Sequence, residues 1–283
     1  MTNTYDCCLF YLTRKKQKGL TPATLEQYSL VLNHFCTFVP SNISDIQEQH
    51  ILSFLDNYEA THKISKHRKE TMRIILNGFF RYITDCGIIA ANPMVLIEPI
   101  RYKKNIREPL TDIELEQLRY SCSTLRQRAL LEFFFATGCR VSEAVNLNIS
   151  DIDFNKRMLK VTGKGNKDRI VLLNASASIA LEKYIAARKD DNNALFVSER
   201  KPYQRIKKET IERAIRELGR TAGIGRRVYP HLLRHTTATY LLKHGMPLEQ
   251  VQDYLGHENI NTTRIYAKID KEDMIHNYKK CFA

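Results

Sequence analysis

The 283-residue sequence contains no tryptophan and no apolar run of about 18 residues, the length that a membrane-spanning helix needs. A bilayer-spanning helix is therefore excluded. The first residues, Met1 to Asp6, lack the basic start and apolar stretch of a secretory signal, so we do not expect secretion. The 7 cysteines are odd in number, and no pair has the CxxC spacing of a zinc site. These absences predict a reduced cytoplasmic protein.

Positive charge is in surplus. The chain has 44 lysines and arginines against 31 acidic residues, a formal net charge of +13. A solvated surface and a polyanionic partner such as nucleic acid both account for this surplus, and composition leaves both open. The length and the 43% content of hydrophobic residues predict one large or two ordinary domains with buried cores.

Residues 1–92 are predicted to form an all-helical domain. Thr21-Pro22 provides a cap and a proline at the first helical position, and apolar residues follow at helical spacing. Ser44 and Gln47 resemble a capping box for a second helix. A third amphipathic helix is expected from Ser65 onward. Its early turns are basic, which is typical of a solvated face and of a DNA-contacting face alike; they include Lys66, Arg68 and Arg73.

Residues 93–109 break this periodicity and are predicted to form an extended interdomain linker. Three prolines punctuate the stretch, and Arg101, Lys103, Lys104 and Arg107 make it positive. A linker lying against a phosphate backbone has this composition, and so does an ordinary linker.

Residues 110–283 are predicted to form a second domain. Thr111 and Glu114 match a capping box. Between Asp151 and Leu173 the hydrophobic period changes to two, which indicates a β-hairpin with its turn at 162–167. Further helices are expected at about 125–136, 176–188, 207–222, 231–243 and 247–254. The predicted fold class is mainly α with a small antiparallel β-sheet in the C-terminal domain.

Short segments of the second domain carry side chains suited to chemistry at an anion. Arg140 follows a glycine bend, and Glu143 lies one turn further on, where it can hold the guanidinium. Lys164 stands between two glycines in the hairpin turn. His231 and Arg234 share a helix face near its N-terminus, where the helix dipole favours an anion.

The last segment contains His257, directly after a helix-ending glycine, and Tyr266 nine residues later. Taken singly, each segment also fits an ordinary role such as a surface ion pair, a turn or a core tyrosine. A zinc site at His231 and His235 is rejected. A metalloprotease helix has glutamate at the position after the first histidine, which is a leucine here, and Arg234 would repel the metal.

Together, two arginines, a lysine, two histidines and a tyrosine in this order resemble the signature of the tyrosine recombinase (phage-integrase) family. The resemblance covers nearly the whole chain. The segments Gly-Cys-Arg-Val-Ser-Glu, His-Leu-Leu-Arg-His and Leu-Gly-His, the last followed by Thr-Thr-Arg-Ile-Tyr, are especially similar to Xer-type recombinases and to relatives encoded by mobile elements. Cys139 departs from the family pattern, since a larger apolar residue is commoner there.

The resemblance implies a transesterification. The Tyr266 hydroxyl would attack a DNA phosphodiester, giving a 3′-phosphotyrosine and a free 5′-hydroxyl, with His231 as the base. Arg140 and Arg234 would clamp the non-bridging oxygens, and Lys164 would protonate the leaving oxygen.

Two further roles follow from the same resemblance. His257 would donate a hydrogen bond to the phosphate, and Glu143 would orient Arg140. We expect neither a metal nor a nucleotide cofactor, because two guanidiniums supply the positive charge and the phosphotyrosine conserves the energy of the bond.

The resemblance also implies a clamp around double-stranded DNA. We expect a core site with inverted repeats, a dimer on each site and a homotetramer that exchanges strands through a Holliday junction; accessory DNA-bending proteins are compatible with this scheme. A C-terminal tail helix at about 270–283 is expected to dock on a neighbouring subunit. The predicted phosphate contacts are Lys66, Arg68, Arg73, Lys103 and Lys104.

Two rival functions remain at this point, a topoisomerase of type IB that relaxes DNA as a monomer and a DNA-binding protein without catalysis. Integration, excision, cointegrate resolution, inversion and chromosome-dimer resolution all fit the site. A first core helix near Thr21 leaves no room for an arm-binding domain, which favours a simple Xer-like or transposon-encoded recombinase.

Overall fold

A computed structural model describes residues 3–102, 108–163 and 168–256. The chain divides into two compact units, Met1–Asn105 and Ile106–Ala283, and each is described by itself. Several residues singled out above lie outside the described ranges: Lys103, Lys104, Arg107, Lys164, His257, Tyr266 and the predicted tail helix.

The described part of the first unit is a bundle of four helices, α1 Thr4–Gln17, α2 Pro22–Phe38, α3 Glu48–His62 and α4 Lys66–Asp85. Its core is rich in aromatic rings. Phe35 lies 5.2 Å from Phe54 and 5.8 Å from Phe80, measured between ring centroids, and all three rings are buried. The predicted starts of α2 and α4 are confirmed, since Thr21 and Ser65 cap them.

Two local predictions for this unit fail. The first core helix does not begin near Thr21 as predicted, because α1 precedes it, with Asn3 as its cap and with Cys7, Cys8 and Tyr11 buried along one face. Two of these three buried residues are cysteines, so the usual apolar periodicity does not mark this helix. The capping box predicted to begin at Ser44 begins three residues later, at Gln47. Gln47 caps α3, and it is His50 that bonds back to the cap.

The stretch after α4 also differs from the extended linker predicted from residue 93. Met94 and Ile97 are buried in the core of the first unit, and the Ile100 N–H donates to Glu70 at 2.8 Å. Two apolar side chains three residues apart anchor this stretch, and residues 93–100 therefore belong to the bundle.

The second unit places helices around a small sheet. Its described helices are α5 Asp112–Tyr120, α6 Leu125–Thr137, α7 Val141–Asn146, α8 Ala175–Ala186, α9 Lys208–Thr221, α10 Pro230–Lys243 and α11 Leu248–Leu255. Helix α6 is buried on nearly every side. The box of Thr111 and Glu114 is confirmed at the start of α5.

The sheet is antiparallel in the order β1-β2-β3. Its strands are β1 Ile152–Asp153, β2 Met158–Thr162 and β3 Asp168–Leu172. Met158 pairs with Leu172 and Thr162 with Asp168, so the predicted hairpin strands are confirmed. The side chains of Leu159, Val161 and Val171 point into the core.

Gly138 ends α6 in the left-handed region, at φ 57°, and it lies against α11. An added Cβ would stand 2.5 Å from the Leu255 side chain, whereas Gly223, at φ 71°, has open space around it. We expect Gly223→Ala to lower the free energy of unfolding by about 1–2 kcal/mol through backbone strain alone. Gly138→Ala should lower the free energy of unfolding by about 1–3 kcal/mol more than Gly223→Ala does, because the added Cβ overpacks the contact with Leu255.

Urea denaturation of the two variants checks this difference. Equal losses in both would contradict the close approach of α11 to the end of α6.

Candidate active site

Arg140 is positioned by the turn between α6 and α7. It occupies the N-cap of α7, and its backbone N–H donates to Glu143 at 2.7 Å. Its Nη1 donates to the other oxygen of the same carboxylate at 2.9 Å. Glu143 therefore caps the helix and holds the guanidinium, and the Glu143 side chain is only 3% exposed.

Arg234 is delivered from α10 and is almost completely buried, at 1% exposure. Its Nη1 donates to the carbonyl of Gly138 and its Nη2 to that of Leu255, both at 2.6 Å. These two bonds tie the second arginine to the turn that carries Arg140 and to the end of α11.

The C-terminal end of α11 bonds to three different arginines. The carbonyl of Tyr254 accepts from Arg169 Nε at 2.9 Å, that of Leu255 from Arg234, and that of Gly256 from Arg140 Nη2 at 2.8 Å. The last carbonyls of a helix lack partners within the helix and carry the negative end of its dipole. Guanidiniums satisfy both needs, and the three arginines are thereby fixed relative to one another.

Arg169 is a site residue that the sequence did not reveal. It lies on β3, and its Nη1 and Nη2 each donate to one oxygen of Glu143 at 2.8 Å. The available signal was weak: an arginine on a strand near a basic turn is common. Only the fold brings it to Glu143, 26 residues away along the chain.

The pKa of Glu143 reflects these neighbours. Burial alone would raise it, but hydrogen bonds from Arg169 and Arg140 outweigh burial, and the pKa lies below its ordinary value. The carboxylate is therefore ionised at neutral pH and anchors both guanidiniums.

A pocket of about 210 Å³ opens beside this network. It is lined by Cys139, Arg140, Val141, Ser142, Lys208, Glu212, Pro230, His231 and Arg234. Three of the six predicted catalytic residues, Arg140, His231 and Arg234, thus share one cavity. Burial raises the pKa of the Cys139 thiol to about 11, so this side chain is neutral at pH 7.

No three His, Cys, Asp or Glu side chains in the described ranges are grouped so as to hold a metal ion. Within those same ranges, no helix combines the length and apolar character needed to cross a bilayer.

The predicted DNA-contacting residues of α4 differ from one another in their exposure. Lys66 is exposed and Arg68 half-buried in the first turn of α4. Arg73 is buried instead: its Nε and Nη2 each donate to Glu70 at 2.8 Å, and its Nη1 reaches the Ile97 carbonyl at 3.5 Å. A phosphate contact at Arg73 does not fit this arrangement, since the guanidinium is used inside the bundle.

Residues 108–273 match the family model described as the phage integrase family. A tyrosine recombinase XerC from Thermodesulfovibrio yellowstonii is 32% identical, over 99% of this chain and 97% of its own length. The chain belongs to the phage integrase family of tyrosine recombinases.

Solved structures agree with this membership. XerH recombinase bound to a palindromic substrate in a post-cleavage complex has a TM-score of 0.75 and 25% identity, covering 93% of this chain and 81% of that one. A lambda integrase tetramer bound to a Holliday junction has a TM-score of 0.77 over 96% and 80% of the two chains; at 18% identity it supports the fold.

Several predictions are confirmed by these comparisons. The family and the mainly helical fold with a small antiparallel sheet are as expected. Tyrosine recombinases cleave and religate DNA, and this protein is a site-specific recombinase of that class. The topoisomerase alternative receives no support from them.

The ion pair of Glu70 and Arg73 yields a prediction for the first unit. Chiefly through its hydrogen bonds to Arg73, Glu70 has a pKa below its ordinary value of 4.5. A depressed carboxylate pKa adds stability that is present above the unfolded-state pKa and is lost as the pH falls through the folded-state value. At pH 7 we expect Glu70→Gln to lower the free energy of unfolding by about 1–3 kcal/mol, and the difference from wild type to shrink below about pH 4.5.

Chemical denaturation between pH 3 and 7 measures this difference. Glu116→Gln is the control, because the Glu116 side chain is 68% exposed in its pair with Arg119. This substitution should lower the free energy of unfolding by less than about 1 kcal/mol. A Glu70→Gln deficit that stays constant across the range would contradict the assignment.

Proposed function

We propose that the pocket of Arg140, His231 and Arg234 binds the scissile phosphodiester of a DNA site and that Tyr266 attacks it. The observation that carries this proposal is the convergence of two arginines from α7 and α10 on one cavity, both held on the end of α11. A guanidinium held in advance stabilises developing negative charge without reorganising during the reaction.

The proposed reaction is a transesterification, in which one bond to phosphorus forms as another breaks. The Tyr266 oxygen forms a bond to phosphorus, its proton passes to His231, and the bond to the 5′ oxygen breaks. Lys164 protonates that oxygen, leaving a 3′-phosphotyrosine and a 5′-hydroxyl. Religation is the reverse, with the 5′-hydroxyl of a partner strand as the nucleophile. His257 adds a hydrogen bond to the phosphate.

The assembly is part of the proposal. The XerH complex on a palindromic substrate supports a site with inverted repeats, on which we place one subunit per repeat. The lambda integrase tetramer on a Holliday junction supports a tetramer on two such sites. The segment at 270–283 would dock on the neighbouring subunit. Accessory DNA-bending proteins are a further component that this scheme accommodates.

The biological role that we propose is the resolution of joined DNA circles in the cytoplasm of a bacterium. The similarity to a tyrosine recombinase XerC along 99% of this chain supports site-specific recombination, and recombination between two directly repeated sites on one circle resolves that circle into two. Recombination between two directly repeated copies of the native site on one plasmid tests it: excision of the intervening circle is expected.

The role of Lys164 can be tested with a modified leaving group. We expect Lys164→Ala to slow cleavage of a normal phosphodiester by roughly 10²–10⁴-fold. A 5′-bridging sulfur leaves as a thiolate, and because a thiol is far more acidic than an alcohol, it needs no proton from a general acid. The variant should therefore cleave the sulfur substrate at nearly the wild-type rate.

The DNA site is first identified by covalent capture, in which cells expressing the wild type are lysed in denaturant and the DNA that stays attached to the protein is sequenced. Single-turnover cleavage of both substrates, built on that site, gives the comparison. Lys160→Ala is the matched control, because Lys160 is exposed on the same hairpin and pairs with Asp168 at 2.7 Å. If Lys164→Ala slows cleavage of both substrates by the same factor, Lys164 is not the general acid.

The predicted phosphate contacts can be tested through salt dependence. For a short DNA duplex, the slope of log affinity against log salt changes by about 0.9 for each phosphate contact. Replacing both Lys66 and Arg68 with alanine should therefore flatten the slope by about 2. The control variant replaces Lys156 and Arg220 with alanine; their side chains are 71% and 82% exposed on the second unit, and this variant should keep the wild-type slope. An unchanged slope in the variant without Lys66 and Arg68 would exclude phosphate contacts by these two residues.

A further inference from the structure

Arg169 occupies a central place in the network beside the pocket. Its two terminal nitrogens hold both oxygens of Glu143, and its Nε holds the Tyr254 carbonyl. The Arg169 side chain is 11% exposed, and it does not line the pocket. Any effect of Arg169 on the reaction must therefore pass through its neighbours.

The charges around Glu143 show what such an effect would be. One carboxylate is shared by two guanidiniums, those of Arg140 and Arg169, so the three groups together carry one net positive charge. Without Arg169, the carboxylate would pair with Arg140 alone, and the charge that Arg140 presents to the pocket would be cancelled. Coulomb interactions are strong at this depth, because little water screens them.

The same side chain also supports the end of α11. A Cβ at Gly256 would stand 3.2 Å from Arg169 Cδ, so the arginine lies directly against the last turn. The carbonyls of Leu255 and Gly256, which follow Tyr254 in that turn, bind Arg234 and Arg140. Displacing Arg169 would shift the acceptors on which both of these arginines depend.

We propose that Arg169 is a positioning residue for strand cleavage. It neutralises Glu143, so that Arg140 keeps its positive charge for the phosphate, and it fixes the turn that holds both pocket arginines. This inference rests on the proposed function of the pocket.

A second ion pair in the same unit provides a control of matched geometry. Arg119 donates through Nε and Nη2 to the two oxygens of Glu132, at 2.8 and 3.0 Å. Its side chain is 18% exposed and that of Glu132 is fully buried, but neither lines the pocket. A loss of activity caused only by a weakened fold would appear in Arg119→Gln as well.

The test compares single-turnover cleavage by wild type with that by Arg169→Gln, Arg169→Lys, Glu143→Gln, the double variant of Glu143→Gln and Arg169→Gln, and Arg119→Gln. The probe is a nicked duplex carrying the site that covalent capture recovers, on which the cleaved strand cannot be religated. DNA affinity and thermal midpoint are measured for each protein, so that rates are compared for folded, DNA-bound enzyme.

We expect Arg169→Gln to slow cleavage roughly tenfold to a hundredfold at saturating DNA, somewhat less than the loss of a donor that contacts the reacting group, with DNA affinity unchanged. Arg169→Lys should recover much of the rate, because it retains the charge. The decisive comparison is the double variant, which removes the carboxylate as well as its neutralising partner. It should cleave about tenfold faster than Arg169→Gln alone.

Three results would overturn the proposal. Arg169→Gln could cleave at the wild-type rate, or the double variant could cleave no faster than Arg169→Gln, or Arg119→Gln could lose as much rate as Arg169→Gln. In each case wild type still cleaves, and the proposed function stands. A wild-type protein that forms no covalent adduct with DNA would overturn the proposed function together with this inference.

Discussion

Three successive carbonyls at the end of α11, each bound to a different arginine, are the interaction on which the candidate site depends. Helix ends expose carbonyls that need donors, and here the donors come from β3, α7 and α10. Elements far apart in sequence are thus fixed at one point. The pocket beside that point inherits its geometry from the helix rather than from flexible surface side chains.

The same arrangement leaves the site positive. Two guanidiniums, those of Arg140 and Arg169, share the carboxylate of Glu143, and Arg234 donates to backbone carbonyls beside them. The network therefore retains positive charge that an anion can complement. Keeping arginines close together costs electrostatic free energy, and the helix carbonyls and Glu143 offset that cost before any ligand binds. A phosphodiester entering such a site meets donors that are already oriented, which is what stabilisation of a transition state requires.

Sequence patterns predicted the elements of this fold well where local chemistry decides the structure. Caps at Thr21, Ser65 and Thr111 and the alternation in β2 and β3 depend on residues near one another in the chain. Pairings across long distances were missed, as at Arg169. The burial of Arg73 was missed for a related reason, because a basic cluster on a helix gives no sign of which member faces inward.

The central claim is that Tyr266 forms the covalent bond to DNA. Wild type and Tyr266→Phe would be expressed in cells, the cells lysed in denaturant, and the DNA that stays attached to protein sequenced. The account predicts attachment by wild type alone, at one short and nearly palindromic site. Equal recovery of DNA with both proteins would contradict it, since the phenylalanine variant has no hydroxyl to attack phosphorus.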